Sequence, residues 1–260
     1  MFAKRDICTL LILAPVMLMA SCSQEENEEK IDRPPVLKAM EEQGLILMKE
    51  FDKDQNLRAF AGLVGDRPIA IYVMSNGNAV VGTRLNAKGE AIDEGILQNL
   101  VAKPVSDKAW AVLESATWVL DGKADAPRIV YTFTDANCPY CHLFWEAARP
   151  WVDSGKVQLR HILVGIIKED SPAKAAAILG SSDQSAALQE NEEKFDQGGI
   201  KPVEIISASV HKTLENNHLL MVSMGFRGTP GIVVRNDAGL VQKYKGMPQQ
   251  NDLQEILGTN

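Results

Sequence analysis

The chain has 260 residues, 45% of them hydrophobic, which suffices for one large domain or two small ones with hydrophobic cores. Its net charge of −7 comes from 27 basic and 34 acidic residues. No basic block is present, so composition argues against a nucleic-acid partner.

The first 21 residues have the pattern of a secretory signal peptide. Lys4 and Arg5 form a basic start, and Ile7–Ala20 is an apolar run too short to remain as a membrane span. Cys22 follows small residues, as at the site where bacterial lipoproteins are cut and lipidated. Lipidation of Cys22 and ordinary cleavage nearby are therefore the two alternatives.

Residues 22–33 form an acidic tether closed by prolines, and residues 34–103 are expected to form a small, mostly antiparallel domain. A domain of this size is marginally stable alone, so pairing with a second copy is a natural remedy. We expect a hairpin turn at 76–78 and a linker helix over 104–122. The predicted strands are Leu45–Phe51, Leu57–Val64, Ile69–Met74 and Asn78–Leu85.

The remaining residues, 123–260, follow a second pattern. A buried strand over Arg128–Thr134, a helix beginning at the cysteines and a strand over Val157–Ile167 indicate a parallel pair with a crossover. A mostly helical stretch at about 170–225, a hairpin and a final helix follow. This order predicts an α+β protein whose C-terminal part is a thioredoxin fold with a helical insertion.

The stretch "NCPYCH" contains Cys138 and Cys141, the two cysteines that lie beyond the predicted signal peptide and its cleavage site. If Cys138 is the N-cap of the helix, Pro139 takes the first helical position, where proline is favoured. The free N–H groups of Tyr140 and Cys141 then point at the Cys138 sulfur. These donors and the helix dipole stabilise a thiolate, which makes Cys138 the exposed nucleophile and Cys141 the buried resolving thiol.

Cysteines at this spacing followed by His142 also fit the attachment motif of a c-type haem. The preceding strand and the proline within the motif argue against haem, and His142 is expected on the solvated face of the helix. A structural zinc site would need four ligands, so no metal is predicted. A third possibility is a chaperone-like binding dimer whose disulfide is only structural.

Thr229-Pro230 is a second candidate feature of the site. In thioredoxin folds the proline at this place is cis and lies against the cysteine pair, so we expect a cis bond here. The residue before it, Thr229, is expected to present its backbone to an extended substrate.

Several sequence blocks resemble the periplasmic DsbC/DsbG family of disulfide isomerases and reductases. They are "WVLDGKADAP", "CPYC", "ARPWVDSGKVQLR", "ILVGIIK" and "SPAKAAAIL". The resemblance implies a V-shaped homodimer with cystatin-like N-terminal dimerisation domains, linker helices as arms and thioredoxin domains facing a shared cleft. It also implies misfolded or oxidised periplasmic clients, an inner-membrane reductase like DsbD as electron source, and no cofactor besides a redox-active Cys138–Cys141 disulfide.

Carried onto this chain, the family pattern gives Cys138 as nucleophile, Cys141 as resolving thiol, and Thr229-Pro230 as the substrate site. Two departures stand out. His142 replaces an expected lysine, so the local potential should differ, and Gly231 replaces an expected alanine, so we expect a looser cleft floor.

Overall fold

The structure is a computed structural model that describes residues 33–259. The predicted signal peptide, nearly all of the tether and Cys22 lie outside the described residues. Within residues 33–259, no helix is long and apolar enough to cross a membrane.

The N-terminal part is helix α1 followed by a four-stranded antiparallel sheet in the order β1-β2-β3-β4. The predicted hairpin turn is present, and Gly77 there adopts a φ of +83°, which favours glycine. The last strand is shorter than predicted, and beyond it Arg84 binds the buried carboxylate of Asp93 at 2.9 Å. The elements are α1 (Pro35–Glu42), β1 (Leu45–Lys53), β2 (Leu57–Val64), β3 (Arg67–Met74) and β4 (Ala79–Val81).

A continuous helical stretch follows, comprising α2 (Glu94–Leu97), one π-helical segment (Gln98–Ala102) and α3 (Lys103–Ser115). The predicted helix over 104–122 is therefore wrong at its C-terminal end. Ala116 is extended, and β5 (Val119–Asp121) pairs antiparallel with a strand of the C-terminal sheet.

The packing of α3 also corrects the predicted domain boundary at residue 123. Leu113 is fully buried, and Trp110 meets Tyr131 of the C-terminal sheet edge-to-face at 5.0 Å. Both lie in one hydrophobic cluster with Phe133 and Phe226. Helix α3 is therefore part of the core of the C-terminal unit, while Val105 near its N-terminus packs against the N-terminal sheet.

The C-terminal sheet has the order β5-β7-β6-β8-β9, in which only the β6–β7 pair is parallel. Helices cover both faces, with α3 and α7 on one and α4 and α8 on the other. This is the predicted thioredoxin arrangement. Its elements are β6 (Arg128–Asp135), α4 (Pro139–Asp153), β7 (Val157–Val164), α5 (Ser171–Leu179), α6 (Gln184–Glu193), α7 (Ala208–Ser223), β8 (Gly231–Arg235), β9 (Val241–Lys245) and α8 (Gln250–Leu257).

The helical insertion lies between β7 and β8. It consists of α5, α6, a short 3-10 turn (Phe195–Gln197) and α7, and its apolar residues pack against the C-terminal half of β7. The mostly helical stretch is interrupted by a non-helical segment at residues 198–207. Strands β6 and β8 are antiparallel neighbours, with Phe133 opposite Gly231. The C-terminal end of β6 and the start of β8 therefore meet at one edge of the sheet.

Candidate active site

The cysteine pair lies where β6 ends and α4 begins. Cys138 is the N-cap of α4, and its sulfur accepts the N–H of Cys141 at 3.3 Å. Pro139 occupies the first helical position, as predicted, where its missing N–H leaves no bond unmade. The local sequence thus places a sulfur at the positive end of a 15-residue helix.

The surroundings of Cys138 favour its thiolate. The hydrogen bond from the Cys141 thiol is the largest cause of a lowered pKa. Burial opposes it, whereas hydrogen bonds from Thr229 and from the N–H groups of Cys141 and Tyr140 act in the same direction. Together these influences lower the pKa of Cys138 to about 6. Burial, followed by the adjacent Cys138 sulfur, raises the pKa of Cys141 well above its ordinary value. At neutral pH the pair therefore holds one thiolate, on Cys138, and one thiol, on Cys141.

The loop before β8 covers this pair. The Thr229–Pro230 peptide bond is cis, as predicted, and the carbonyl oxygen of Thr229 lies 3.4 Å from the Cys138 sulfur. The buried Thr229 hydroxyl has no ordinary hydrogen-bond partner among the described residues, and its interaction with both sulfurs lowers both thiol pKa values. The site is thus built from two loops that the antiparallel β6–β8 pairing brings together.

The exposure of Cys138 differs from the prediction. Cys138 is 2% exposed and Cys141 is 3% exposed, so the expectation of an exposed Cys138 is wrong for this conformation. The Thr229-Pro230 loop, which lies over the sulfur, is the reason. The neighbouring Tyr140 is 58% exposed and marks the open side of the site.

A buried polar network below the turn is a feature that sequence reasoning missed. The Asp135 carboxylate accepts the N–H of Asn137 at 2.9 Å and the hydroxyl of Ser171 at 2.8 Å. The Asn137 side chain in turn accepts the ammonium of Lys174, which is 6% exposed, at 2.7 Å. The only sequence signal was an Asp two residues before an Asn, which is typical of a side-chain-stabilised turn.

His142 is placed differently from the prediction. Its ring stacks on Phe195 with centroids 4.4 Å apart and planes within 5°, and its Nδ1 lies 3.0 Å from the buried carboxylate of Glu192. The expectation that His142 lies on the solvated face is therefore wrong. The Nδ1 of His142 is therefore engaged by the Glu192 carboxylate. Among residues 33–259, no group of three His, Cys, Asp or Glu side chains is placed to hold a metal ion.

Comparison with known proteins gives first the class of this protein. Residues 121–259 match the thioredoxin-like domain family, which is the fold that the C-terminal sheet and its helices form.

Curated relatives narrow the class. The thiol:disulfide interchange protein DsbG of Pseudomonas aeruginosa is 44% identical over 86% of this chain and 88% of its own length. DsbG of Escherichia coli is 38% identical over 95% of this chain and 99% of its own length. Among solved structures, Proteus mirabilis ScsC in a transitional conformation is 22% identical over 64% of this chain and 86% of that chain, with a TM-score of 0.47. The chain therefore belongs to the DsbG family of thiol:disulfide interchange proteins, as its sequence blocks predicted, and its chemistry is thiol–disulfide exchange.

Proposed function

We propose that this protein isomerises or reduces disulfides of exported client proteins, with Cys138 as nucleophile. The observation that carries the proposal is the Cys138 sulfur at the N-terminus of α4, bonded by the N–H of Cys141 at 3.3 Å. The thiolate attacks one sulfur of a client disulfide and forms a mixed disulfide, while the other client sulfur leaves as a thiolate and takes a proton from water.

The mixed disulfide has two exits. Attack by another client thiolate on the client sulfur releases Cys138 and leaves the client with a rearranged disulfide. Attack by Cys141, after it loses its proton, forms the Cys138–Cys141 disulfide and releases a reduced client. Burial raises the pKa of Cys141, which disfavours the thiolate that the second exit requires.

The second exit leaves the protein oxidised. Two electrons from outside must then reduce the Cys138–Cys141 disulfide, because only the reduced form contains the Cys138 thiolate. We propose that an inner-membrane reductase of the DsbD type supplies them and that the site works in the periplasm. An external source of two electrons is also needed if the protein reduces sulfenic acids on client cysteines.

The surface beside the nucleophile suits an unfolded client. Tyr140 and Leu143, on the first turns of α4, are 58% and 46% exposed, and Ile167 on the neighbouring loop is 44% exposed. Such apolar surface next to a reactive thiol favours chain segments that expose hydrophobic side chains.

The N-terminal sheet supports a homodimer through residues 34–103. Its edge strands are β1 and β4, and Ile46, Val80 and Val81 there are at least half exposed. Exposed apolar edge strands favour pairing with another chain. We expect Val81→Lys to shift the protein to monomers in sedimentation velocity, whereas Val222→Lys, at an equally exposed site on α7, should leave the dimer intact. Monomeric wild-type protein would contradict the assignment.

Trapping of clients tests the catalytic assignment. In cells, Cys141→Ala should accumulate mixed disulfides that dissolve on reduction, because the resolving thiol is absent. Cys138→Ala should accumulate none. The rival function, a chaperone-like dimer with a structural disulfide, predicts that Cys138→Ala keeps full activity in a disulfide-repair assay.

Anchoring through Cys22 is a separate proposal about the mature N-terminus. A lipidated Cys22 would hold the protein in the membrane fraction, and Cys22→Ser would release it into the periplasmic extract. Wild-type protein found wholly in the soluble extract would exclude the anchor.

A further inference from the structure

Helix α6 of the insertion contacts both sides of the cysteine turn. Its residues Asn191 and Glu192 are consecutive and are 0% and 2% exposed. The Asn191 amide donates to the carbonyl of Ala136, two residues before Cys138, at 3.2 Å. The Glu192 carboxylate accepts Nδ1 of His142, the residue after the second cysteine, at 3.0 Å.

Asn191 also binds the segment that follows α6, and Phe195 of that segment contacts His142. The Asn191 side-chain oxygen accepts the N–H of Ile200 at 3.1 Å. His142 lies between the rings of Phe195, at 4.4 Å, and Trp145, at 6.1 Å, nearly parallel to both. The imidazole is therefore fixed by one hydrogen bond and two aromatic faces.

Two further titratable side chains, Glu146 and His161, act on the pair of His142 and Glu192. Glu146, from α4 itself, lies 3.6 Å from Nε2 of His142 and is 56% exposed on its side chain. His161, from β7, interacts favourably with the Glu192 carboxylate. Burial raises the pKa of Glu192, and the hydrogen bond from His142 is the main influence against that rise. A carboxylate this buried is costly unless it is paired, so the imidazole is what makes its ionised form tolerable.

We propose that Glu192 is a positioning residue for thiol–disulfide exchange, which fixes His142 and sets the electrostatic surroundings of the Cys138 thiolate. The inference rests on the proposed role of Cys138 as nucleophile. Together with Asn191, Glu192 joins the insertion to both flanks of the reactive turn. The helical insertion thus contributes residues to the active site of the thioredoxin fold.

The sign of the effect follows from the charges. Glu192→Gln keeps the size and a hydrogen-bonding oxygen but removes one negative charge near the N-terminus of α4. The Cys138 thiolate is then favoured, because the carboxylate no longer opposes it. His142→Gln removes the imidazole that makes the ionised form of Glu192 tolerable, so the carboxylate takes up a proton more readily and the thiolate is again favoured.

The experiment titrates Cys138 in the full-length reduced protein, from the pH dependence of its alkylation rate. We expect the midpoint to fall by at least about half a pH unit in Glu192→Gln, from Coulomb's law at protein-like dielectric. We expect a smaller fall in His142→Gln, because Glu192 is then protonated more readily. Glu193→Gln is the matched control, because Glu193 is the next residue on α6 and is exposed, and it should leave the midpoint unchanged.

A purely structural role gives a different result. It would lower the melting temperature of both variants and leave both midpoints unchanged, and this outcome overturns the proposal. If Glu192→Gln does not fold, an unchanged or raised midpoint in His142→Gln overturns it alone. Failure of the proposed function is distinguishable, because the wild-type midpoint itself would then lie near that of an ordinary thiol.

Discussion

The backbone N–H of Cys141 points at the Sγ of Cys138 and lies 3.3 Å from it. The two residues are three positions apart, so this bond joins the N-cap of α4 to its third helical residue. The geometry explains why the two chemically identical side chains differ. One sulfur receives the free donors of a helix end, and the other lies one turn inside, where burial opposes its ionisation.

The Cys141 thiol should itself help to keep Cys138 ionised, since its hydrogen bond is the largest cause of the lowered pKa. We therefore expect the Cys138 pKa to rise in Cys141→Ala but to stay below its ordinary value near 9. Cys141→Ser keeps a donor and should give a smaller rise. Ultraviolet thiolate absorbance measures both. Equal pKa values in wild type and Cys141→Ala would show that the thiol donor contributes nothing.

Stability should depend on pH in the reduced protein more than in the oxidised one. The Cys138 pKa is about 6 when folded and near 9 when unfolded, so between these values the unfolded chain binds more protons. The contribution is complete above about pH 9 and is lost below about pH 6.

The free energy of unfolding of the reduced form should thus gain up to about 1.4 kcal/mol per pH unit over that of the oxidised form. Urea unfolding of both forms at several pH values measures the difference. A difference that does not change between pH 6 and 8.5 would contradict the lowered pKa.

Helix α3 should stabilise the C-terminal unit. Leu113 is fully buried in its core, so Leu113→Ala should lower the free energy of unfolding by about 2–5 kcal/mol. Val112→Ala, at a 43% exposed position, should cost less than about 0.5 kcal/mol. Urea denaturation followed by tryptophan fluorescence reports the loss. If the two variants are equally stable, α3 is only a linker.

Gly231 should tolerate no side chain. A Cβ there would lie 2.8 Å from the ring of Phe226, which is 1% exposed. The expectation of a looser cleft floor is therefore wrong, because Phe226 fills the space that the missing methyl leaves.

We expect Gly231→Ala to lower the free energy of unfolding by roughly 1–3 kcal/mol. Gly228→Ala meets nothing within 4 Å and serves as the control in the same loop. Thermal unfolding of the Gly231→Ala and Gly228→Ala variants tests this expectation. An unchanged melting temperature in Gly231→Ala would show that the Phe226 ring can move away.

The sequence predicted what depends on local chemistry. A cysteine before a proline at a helix start indicates its own geometry, and the cis bond at Thr229-Pro230 was expected from the thioredoxin fold; both were placed correctly. It could not predict what depends on distant partners. Trp110 and Leu113 have the spacing of an ordinary amphipathic helix, and only the folded sheet shows which surface they cover. His142 was misplaced for the same reason, since its partners Glu192 and Phe195 lie on another helix and the turn after it.

The central claim is that Cys138 is a thiolate at neutral pH, and its ionisation in the reduced full-length protein tests this claim most directly. The rate of alkylation by iodoacetamide should rise with pH through a midpoint at about 6 and then level off. Mass spectrometry should place the label on Cys138 and not on Cys141. A midpoint near 9, or labelling of Cys141 first, would contradict the account.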